Sequence, residues 1–499
     1  MNIVVAGRET AGWLAALHSK RCNPDAIITV LYDDKIPIID VAESTTPDFS
    51  NFMEDVLDIS LKDLVKNCEA TIKNSIKFTN WKGDGTYYHH SFTKHHINLM
   101  KDYFNARTFR MSLDRVDECA MLSRKNKVAI PCNESDASIY NKNTNYGLHF
   151  NSKKMVEYLQ TVGVSRGIKI VIGKIEDVSV DKDGYTTEII LDTKQRIKTD
   201  FVFDCTGFDR LFVDKVYKSP LKSYNELLPL KKIMPFFIDN TGTTPPFTES
   251  IAMKYGWMWK IPDGKRYGCG YVFDSDYIND EEAYEEICEM VKEKPQVSRT
   301  ISFKPEYNTK PFNKNTLALG LAHGFLEPLE STSLMITIHM LHTIQNTIPS
   351  TIFDHTKRES YTEDYNKYIL SYVENCVNML YVHYLTPRDD TDFWCKFKET
   401  VPEQFKRTLK LIRAYDLTQP SLLDPEYNGG CDSHPFNIYN IIKCMSGVDY
   451  LPYDIEKRNQ CFPLMREMGR KIERLEVMCE KSKDHDEYIN DLNYLKTEN

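Results

Sequence analysis

A short apolar run, Ile3-Val4-Val5-Ala6, ends in Gly7-Arg8-Glu9-Thr10-Ala11-Gly12, and a helical pattern follows. In a strand–turn–helix context such glycines let the backbone turn tightly and approach a pyrophosphate, whose charge a helix N-terminus favours. Gly7 and Gly12 hold the first and third glycine positions of a GxGxxG pattern, while the middle position holds Glu9. A carboxylate there is bulky and repels phosphate; Arg8 can offset its charge. The same residues would also suit a plain turn between a strand and a helix. Asp33 and Asp34, after the second strand-like run, are candidates for a ribose hydroxyl or simply loop acids.

Three other clusters have chemical potential. Ser331-Thr332-Ser333 precede an apolar helical run beginning at Leu334, so their hydroxyls and the helix amides can bind an anion or only cap the helix. Trp257 and Trp259 stand at i and i+2, which puts both on one face of a strand, ordinarily a core face. The histidines His89-His90 and His95-His96 suggest a metal, but no acidic or cysteine ligand follows at a familiar spacing, and no metal is expected.

The elements that would position these residues follow from periodicity. The first fifty residues alternate strand (Ile3 to Ala6), helix (Thr10 to about Arg21) and strand (Ile27 to Tyr32), which predicts a parallel pair with a crossover helix. A helix is expected over 52–70, with Phe52, Val56, Leu57, Leu61, Leu64 and Val65 on one face. A strand is expected near Ile76 to Trp81, a helix over Lys153 to Val164, and strands over Lys169 to Val178, Thr186 to Leu191 and Phe201 to Cys205. Spaced aromatics over 220–305 suggest a mixed sheet over a substrate cavity. Helices dominate from Leu334, and Pro463 to Leu495 looks like a charged, solvated helical tail.

The 499 residues suit about three domains by length. With no repeats or linkers, those domains are expected to interweave. Hydrophobic content of 41% and charged content of 27% are ordinary for a globular protein. The net charge of -9 argues against a nucleic-acid partner. Thirteen cysteines without a CxxC pair suggest reduced thiols. No membrane segment or signal peptide is evident, so a soluble, cytoplasmic protein is expected.

Gly256-Trp257-Met258-Trp259-Lys260-Ile261-Pro262 spell WxWxIP, which resembles the signature of the flavin-dependent tryptophan halogenases. Other segments agree in order. Thr10-Ala11-Gly12-Trp13-Leu14-Ala15-Ala16 is similar to that family's opening, and Val41-Ala42-Glu43-Ser44-Thr45 with Pro47 to the strap that links its flavin and substrate sites. Lys73 with Ile76-Lys77-Phe78 and Asn80-Trp81 resembles the stretch bearing the family's essential lysine. His90-Ser91-Phe92, Asn145-Tyr146, His149-Phe150 and Asp204-Cys205-Thr206-Gly207-Phe208 also match. So do the run Phe325 to Thr332, Pro387-Arg388 and Phe393-Trp394.

The resemblance implies an α/β, FAD-binding Rossmann-like fold of the p-hydroxybenzoate hydroxylase type, with a mixed-sheet substrate layer and a helical C-terminal part. Residues 1–330 would hold the FAD-binding module, interwoven with substrate regions at about 75–150 and 220–305; residues 331–499 would form a helical substrate subdomain. It implies a reaction in which FADH2 from a separate reductase, O2 and a halide yield hypohalous acid, which halogenates an electron-rich aromatic. Lys73 would be the catalytic lysine, with Lys77 its competitor, and Glu330 the acid/base partner. Ser331, Thr332 and Ser333 would bind halide, Ser333 standing where the family usually has glycine. Flavin contacts would come from Gly7, Arg8, Thr10, Ala11, Gly12, Trp13, Asp33, Ala42, Glu43, Ser44, Ile175, Gly320 and Leu321. Trp257 and Trp259 would screen the flavin, while His90, Phe92, Phe436 and Tyr439 would contact substrate.

The stretch Gly429 to Pro452 lacks the Phe-Trp pair and nearby acid that grip free tryptophan in that family, so other phenols, indoles or anilines are expected. An aromatic hydroxylase of similar fold is one alternative; a non-catalytic aromatic-binding flavoprotein, favoured by Glu9, is the other.

Overall fold

In the computed structural model the N-terminal apolar run forms the strand Asn2–Ala6, well inside a six-stranded sheet. It pairs in parallel with Ile27–Tyr32 on one side and Phe201–Asp204 on the other, with Val4 opposite Thr29 and Val202. Lys169–Ile172 and Thr316–Ala318 extend the sheet in parallel, and Phe312–Asn313 closes one edge antiparallel. The structure describes residues 1–499 other than 39, 95–98, 100, 101, 104, 105, 107–110, 134–143, 298, 346–354, 400, 402–404, 407–434, 451–461 and 495–499.

Two compact units are built from alternating segments of the chain. The first comprises Met1–Glu69, Phe150–Asn225 and Lys304–Glu374; the second comprises Ala70–His149, Glu226–Phe303 and Asn375–Asn499.

In the first unit the helix Thr10–Cys22 packs on the helix Ser152–Ser165. A Cβ at Gly163 would stand 2.5 Å from the Trp13 ring, so the glycine makes room for a fully buried indole. The antiparallel strands Ile175–Val180, Thr186–Leu191 and Arg196–Lys198 contribute Ile189 and Leu191 to a core that includes Val4, Leu31, Val202 and Phe212.

In the second unit a seven-stranded sheet runs in the order Ile301–Ser302, Lys232–Asp239, Arg266–Phe273, Gly256–Asp263, Phe247–Ala252, Ser75–Thr79, Tyr87–Ser91. Every pair in it is antiparallel except Phe247–Ala252 with Ser75–Thr79. Phe78 stacks on Tyr88 (centroids 4.9 Å apart) and His383 (4.2 Å), and the Tyr88 hydroxyl lies 2.8 Å from His383 Nδ1. Trp81 and Trp394 donate their indole N–H groups to Ser250 O and Met253 O. Several motif residues of the resemblance, Phe78, Trp81, Arg388 and Trp394, are therefore core aromatics and their support; Arg388 lies over the Trp394 ring at 4.7 Å.

The structure corrects three expectations. The helix expected over 52–70 is interrupted: Pro47–Asn51 runs into a wide turn at Phe52–Val56, and a separate helix spans Leu61–Cys68. Asp58 adopts φ of 51°, which stops the first piece, and the Ser60 hydroxyl, accepting from Asp63 N, starts the second. The strand expected over Lys169 to Val178 is two strands in different sheets, divided at Gly173, where a Cβ would meet Leu191 at 2.8 Å. The mixed sheet expected over 220–305 is present, and the region also contains a helix, Asp280–Val291, begun by a reciprocal Asn279–Glu282 cap.

The charged tail is not merely solvated. The helix Phe462–Glu480 buries Met468, Leu475, Met478 and Cys479, and Lys471 pairs with the buried Glu118 at 2.8 Å. The strand Ser482–Asp484 then pairs with Lys127–Pro131, and the helix His485–Tyr494 follows. Among the described residues, no helix is long and apolar enough to cross a membrane.

Candidate functional site

In the first unit, the expected dinucleotide residues meet at one helix end. Gly7 has φ of 128°, and a Cβ there would sit 2.0 Å from Cys205 O; one at Gly12 would sit 2.4 Å from Gly7 O. Gly320 has φ of 57°, and a Cβ there would sit 3.0 Å from the Ala11 Cβ. The strand end, the first helical turn and the Gly320–Ala322 turn are thus drawn together by missing side chains. Thr10 and Ala11 supply first-turn amides, which have no acceptors within the helix in front of them, while Gly12 N donates to Glu9 O at 2.9 Å. A glycine-lined helix end of this kind fits a pyrophosphate.

Glu9 is the N-cap residue of that helix and makes no side-chain cap hydrogen bond. Arg8 is engaged elsewhere, its guanidinium over the Tyr32 ring at 4.6 Å and donating to Ile36 O at 2.5 Å. Near Glu9 the carboxyl of Glu43 is pushed up to about 7, by burial first and the Glu9 carboxylate second. Near neutral pH Glu43 therefore holds a proton much of the time, which limits the negative charge beside the helix end. Asp33 accepts from Lys35 N at 3.0 Å, so one carboxylate oxygen closes its own turn. Ile175 opens the antiparallel layer opposite Leu191 and packs against that core.

Glu330 is buried, 1% exposed, immediately before the helix Thr332–Ile344. Simple capping by Ser331 does not occur: it adopts the left-handed conformation, φ of 57°, without a side-chain cap hydrogen bond. Its Oγ instead donates to Ser44 Oγ at 3.2 Å. This contact joins the Ala42–Ser44 strap to the proposed anion-binding trio. Thr332 is buried and Ser333 half-buried, with Thr337 Oγ1 donating to Ser333 O. Leu321 lies in the turn that begins at Gly320.

In the second unit, Lys73 ends the strand Thr71–Lys73 and has no exposed surface; its Nζ lies 5.1 Å from the Phe92 ring centre. Lys77 is differently placed. Its Nζ pairs with Glu249 at 2.9 Å in a partly exposed setting, and Glu249 stands between Lys77 and Lys260 in the sheet register. Next to the lysine strand, His149 is held well below its ordinary value by burial and then by the Lys73 ammonium, so it stays neutral. Its ring contacts Thr71 Oγ1 at 3.2 Å and Thr248 Oγ1 at 2.9 Å.

His90 Nε2 lies 3.0 Å from Asn440 Oδ1, and its ring centre is 6.2 Å from that of Phe436. Asn440 and the half-buried Tyr439 lie on the helix Ile438–Gly447, whose N-cap is Asn437. Of the other histidines flagged by the sequence, His89 is buried against Ser75, while His95 and His96 lie outside the described residues. Trp257 and Trp259 share one face, ring centres 6.2 Å apart. Gly270, opposite Trp259, leaves space for that indole: a Cβ would fall 2.1 Å from the ring.

Sequence reasoning missed the Asp117 hub beneath His90 and Phe92. Asp117 caps the helix Glu118–Arg124 and accepts from Ser91 Oγ, Thr93 Oγ1, Tyr103 OH and Lys443 Nζ at 2.5–2.7 Å. Burial alone would raise its carboxyl, but Lys443, Ser91 and Tyr103 outweigh it and hold the carboxyl well below the carboxylate range. The alternation Ser91/Thr93 against His90/Phe92 was the available signal, since alternate strand residues face opposite sides. Gly270 could have been suspected from a glycine inside a strand.

A parallel sheet whose first strand leads into a glycine-cradled helix end, in a chain whose second unit holds a mixed sheet, defines an α/β FAD-binding fold. A flavin-dependent halogenase from Xanthomonas campestris has this fold, with a TM-score of 0.86, 24% identity and 98% of each chain covered. BrvH, a flavin-dependent halogenase from Brevundimonas sp. BAL3, gives 0.85, 23% and 99% of each chain. A family model described as Tryptophan halogenase matches residues 2–463, and the chain belongs to that family. Among its relatives is the tryptophan 7-halogenase RebH of Lentzea aerocolonigenes, 29% identical over 423 residues, 80% of this chain and 79% of the relative. The tryptophan 7-halogenase KtzQ of Kutzneria sp. is 27% identical over 491 residues, 90% of each.

Proposed function

We propose that this chain is a flavin-dependent halogenase that uses FADH2 from a separate reductase, O2 and a halide to halogenate an electron-rich aromatic small molecule. The observation that carries the reading is Lys73, a lysine without exposed surface beside an aromatic ring, in a chain of the tryptophan halogenase family. Burying an ammonium is costly, and a function that needs it there accounts for its place. Bound reduced flavin would supply the electrons by which O2 oxidises halide to hypohalous acid.

The chain's own residues bind and direct. Gly7, Thr10, Ala11 and Gly12 would hold the pyrophosphate, with Arg8 and Asp33 toward the adenosine. Trp13 seats that helix, and Ala42, Glu43, Ser44, Ile175, Gly320 and Leu321 would complete the contacts with the cofactor. Ser331, Thr332 and Ser333 would hold the halide. The Lys73 ammonium would donate a hydrogen bond to the hypohalous acid oxygen and polarise its bond to halogen. Glu330 would take the proton that the aromatic ring loses. Trp257 and Trp259 would screen the flavin, while His90, Phe92, Phe436 and Tyr439 would stack a planar ring. The described cysteines are all free thiols, which suits a cytoplasmic enzyme.

The deciding assay incubates the protein with FADH2, O2, each halide in turn and a panel of phenols, indoles and anilines, read by mass spectrometry. A halide-dependent product is expected. A hydroxylated product formed equally without halide, or none from any partner set, would overturn the reading. Gly7→Ala should weaken FAD binding at least ~10-fold in a fluorescence titration, because its Cβ has no room and its φ is wrong for alanine. Unchanged affinity would remove the pyrophosphate assignment. Glu330→Gln should slow turnover by ~10²–10⁴, and an unaltered rate would end its role in proton transfer.

A further inference from the structure

We propose that His485, in the C-terminal tail, is a positioning residue that holds the backbone of the Lys73 strand by accepting the amide hydrogen of Ile72. The strand Thr71–Lys73 lies at the edge of its small sheet and pairs antiparallel with Gly147–Asn151, placing Ile72 opposite Leu148. Amides alternate in direction along such a strand, and Ile72 N–H is directed to His485 Nε2 at 3.1 Å. On the other side of the ring, Nδ1 lies 2.8 Å from Thr244 O. A carbonyl only accepts and an amide only donates, so the ring is neutral, with its hydrogen on Nδ1. His485 bridges two main-chain segments, and its ring is 1% exposed.

The bridge is itself anchored. His485 N donates to Asn126 O at 3.0 Å, and Cys132 N donates to Lys481 O at 2.8 Å. The strand Ser482–Asp484 pairs with Lys127–Pro131, and the Asp486 carboxylate accepts from Thr244 N at 3.1 Å. The neighbours of Ile72 are pinned independently: Thr71 by His149, and Asn74 through Pro246 O and Lys127 O. The ammonium of Lys73 is thus one residue from an amide whose partner is supplied 413 positions later. The family model's match stops at residue 463, so this partner lies in a part of the chain outside it.

The inference rests on Lys73 being the catalytic lysine, and its test separates the two claims. Three quantities are measured for wild type, His485→Phe and His485→Gln: hydrogen exchange at Ile72, halogenated product per FADH2 oxidised, and KM for the aromatic. In His485→Phe the ring is kept and both hydrogen bonds are lost. Exchange at Ile72 should rise ~10-fold or more, and product per flavin oxidised should fall ~10-fold, since small misplacement of a reacting group is costly. KM should stay within about twofold, because the aromatic's own contacts are untouched. Glutamine, which has an acceptor and a donor, should recover much of both exchange protection and coupling. Unchanged exchange in His485→Phe overturns the proposal; so does faster exchange with unchanged coupling, or a general loss of activity and substrate affinity that glutamine does not relieve. If wild type makes no halogenated product, the halogenase reading fails, and exchange at Ile72 still decides whether the tail holds the strand.

Discussion

Lys73→Met should leave the protein folded, keep its oxidation of FADH2, and lower halogenated product by ~10²–10³ or more, the scale on which a single directed donor acts. Methionine approximates the volume of lysine without the charge. At a position with no exposed surface, this substitution keeps the side-chain volume and opens no cavity. The melting temperature should therefore change far less than the product yield. That split is the signature of a group kept for chemistry. A variant that melts far lower yet still halogenates would show Lys73 to be structural. Lys77→Met is the matched control: its ion pair with Glu249 is partly exposed, so its loss should cost at most about 1 kcal/mol and little activity.

Asp117→Ala should destabilise the second unit by about 3–5 kcal/mol. The side chains of Asp117 and Lys443 are 0% and 1% exposed. Removing the carboxylate leaves a buried ammonium without its counter-ion and takes the acceptor from Ser91, Thr93 and Tyr103 as well. A fall in melting temperature on the order of 10 °C is expected, measured by calorimetry. Asp117→Ala with Lys443→Met should recover a large part of it, since burying neither charge is often as stable as burying both. A single mutant that melts like wild type would show that the pair carries no such energy.

The same hub marks where sequence reasoning stops. Residues whose role is local were legible: the glycines at 7 and 12, which the first turn needs, and the helix Ser152–Ser165, whose apolar stripe repeats with helical period. The tryptophans at 257 and 259 were legible as one face of a strand, and there they lie. Asp117, Lys443 and Tyr103 belong to different elements, and neither spacing nor periodicity links an acid to an ammonium more than three hundred residues away. The tail misled for a related reason. Its charges suggested solvent, while Met468, Leu475 and Met478 form an apolar stripe that was there to be counted. At Gly173 a continuous β-like pattern concealed a change of sheet, because the steric cause is Leu191, on another strand.

The alternation of segments between the two units bears on how the chain is made. The strand Asn2–Ala6 waits for Phe201–Asp204, its parallel neighbour. At roughly 5–20 residues per second, a ribosome leaves that apolar edge unmatched for about 10–40 s. The second unit ends later still, when residues beyond 480 emerge to pair with Lys127–Pro131. Nascent chains would thus carry open β edges for most of translation, a state prone to aggregation, and yield in a foreign host should improve with slower synthesis or added chaperone.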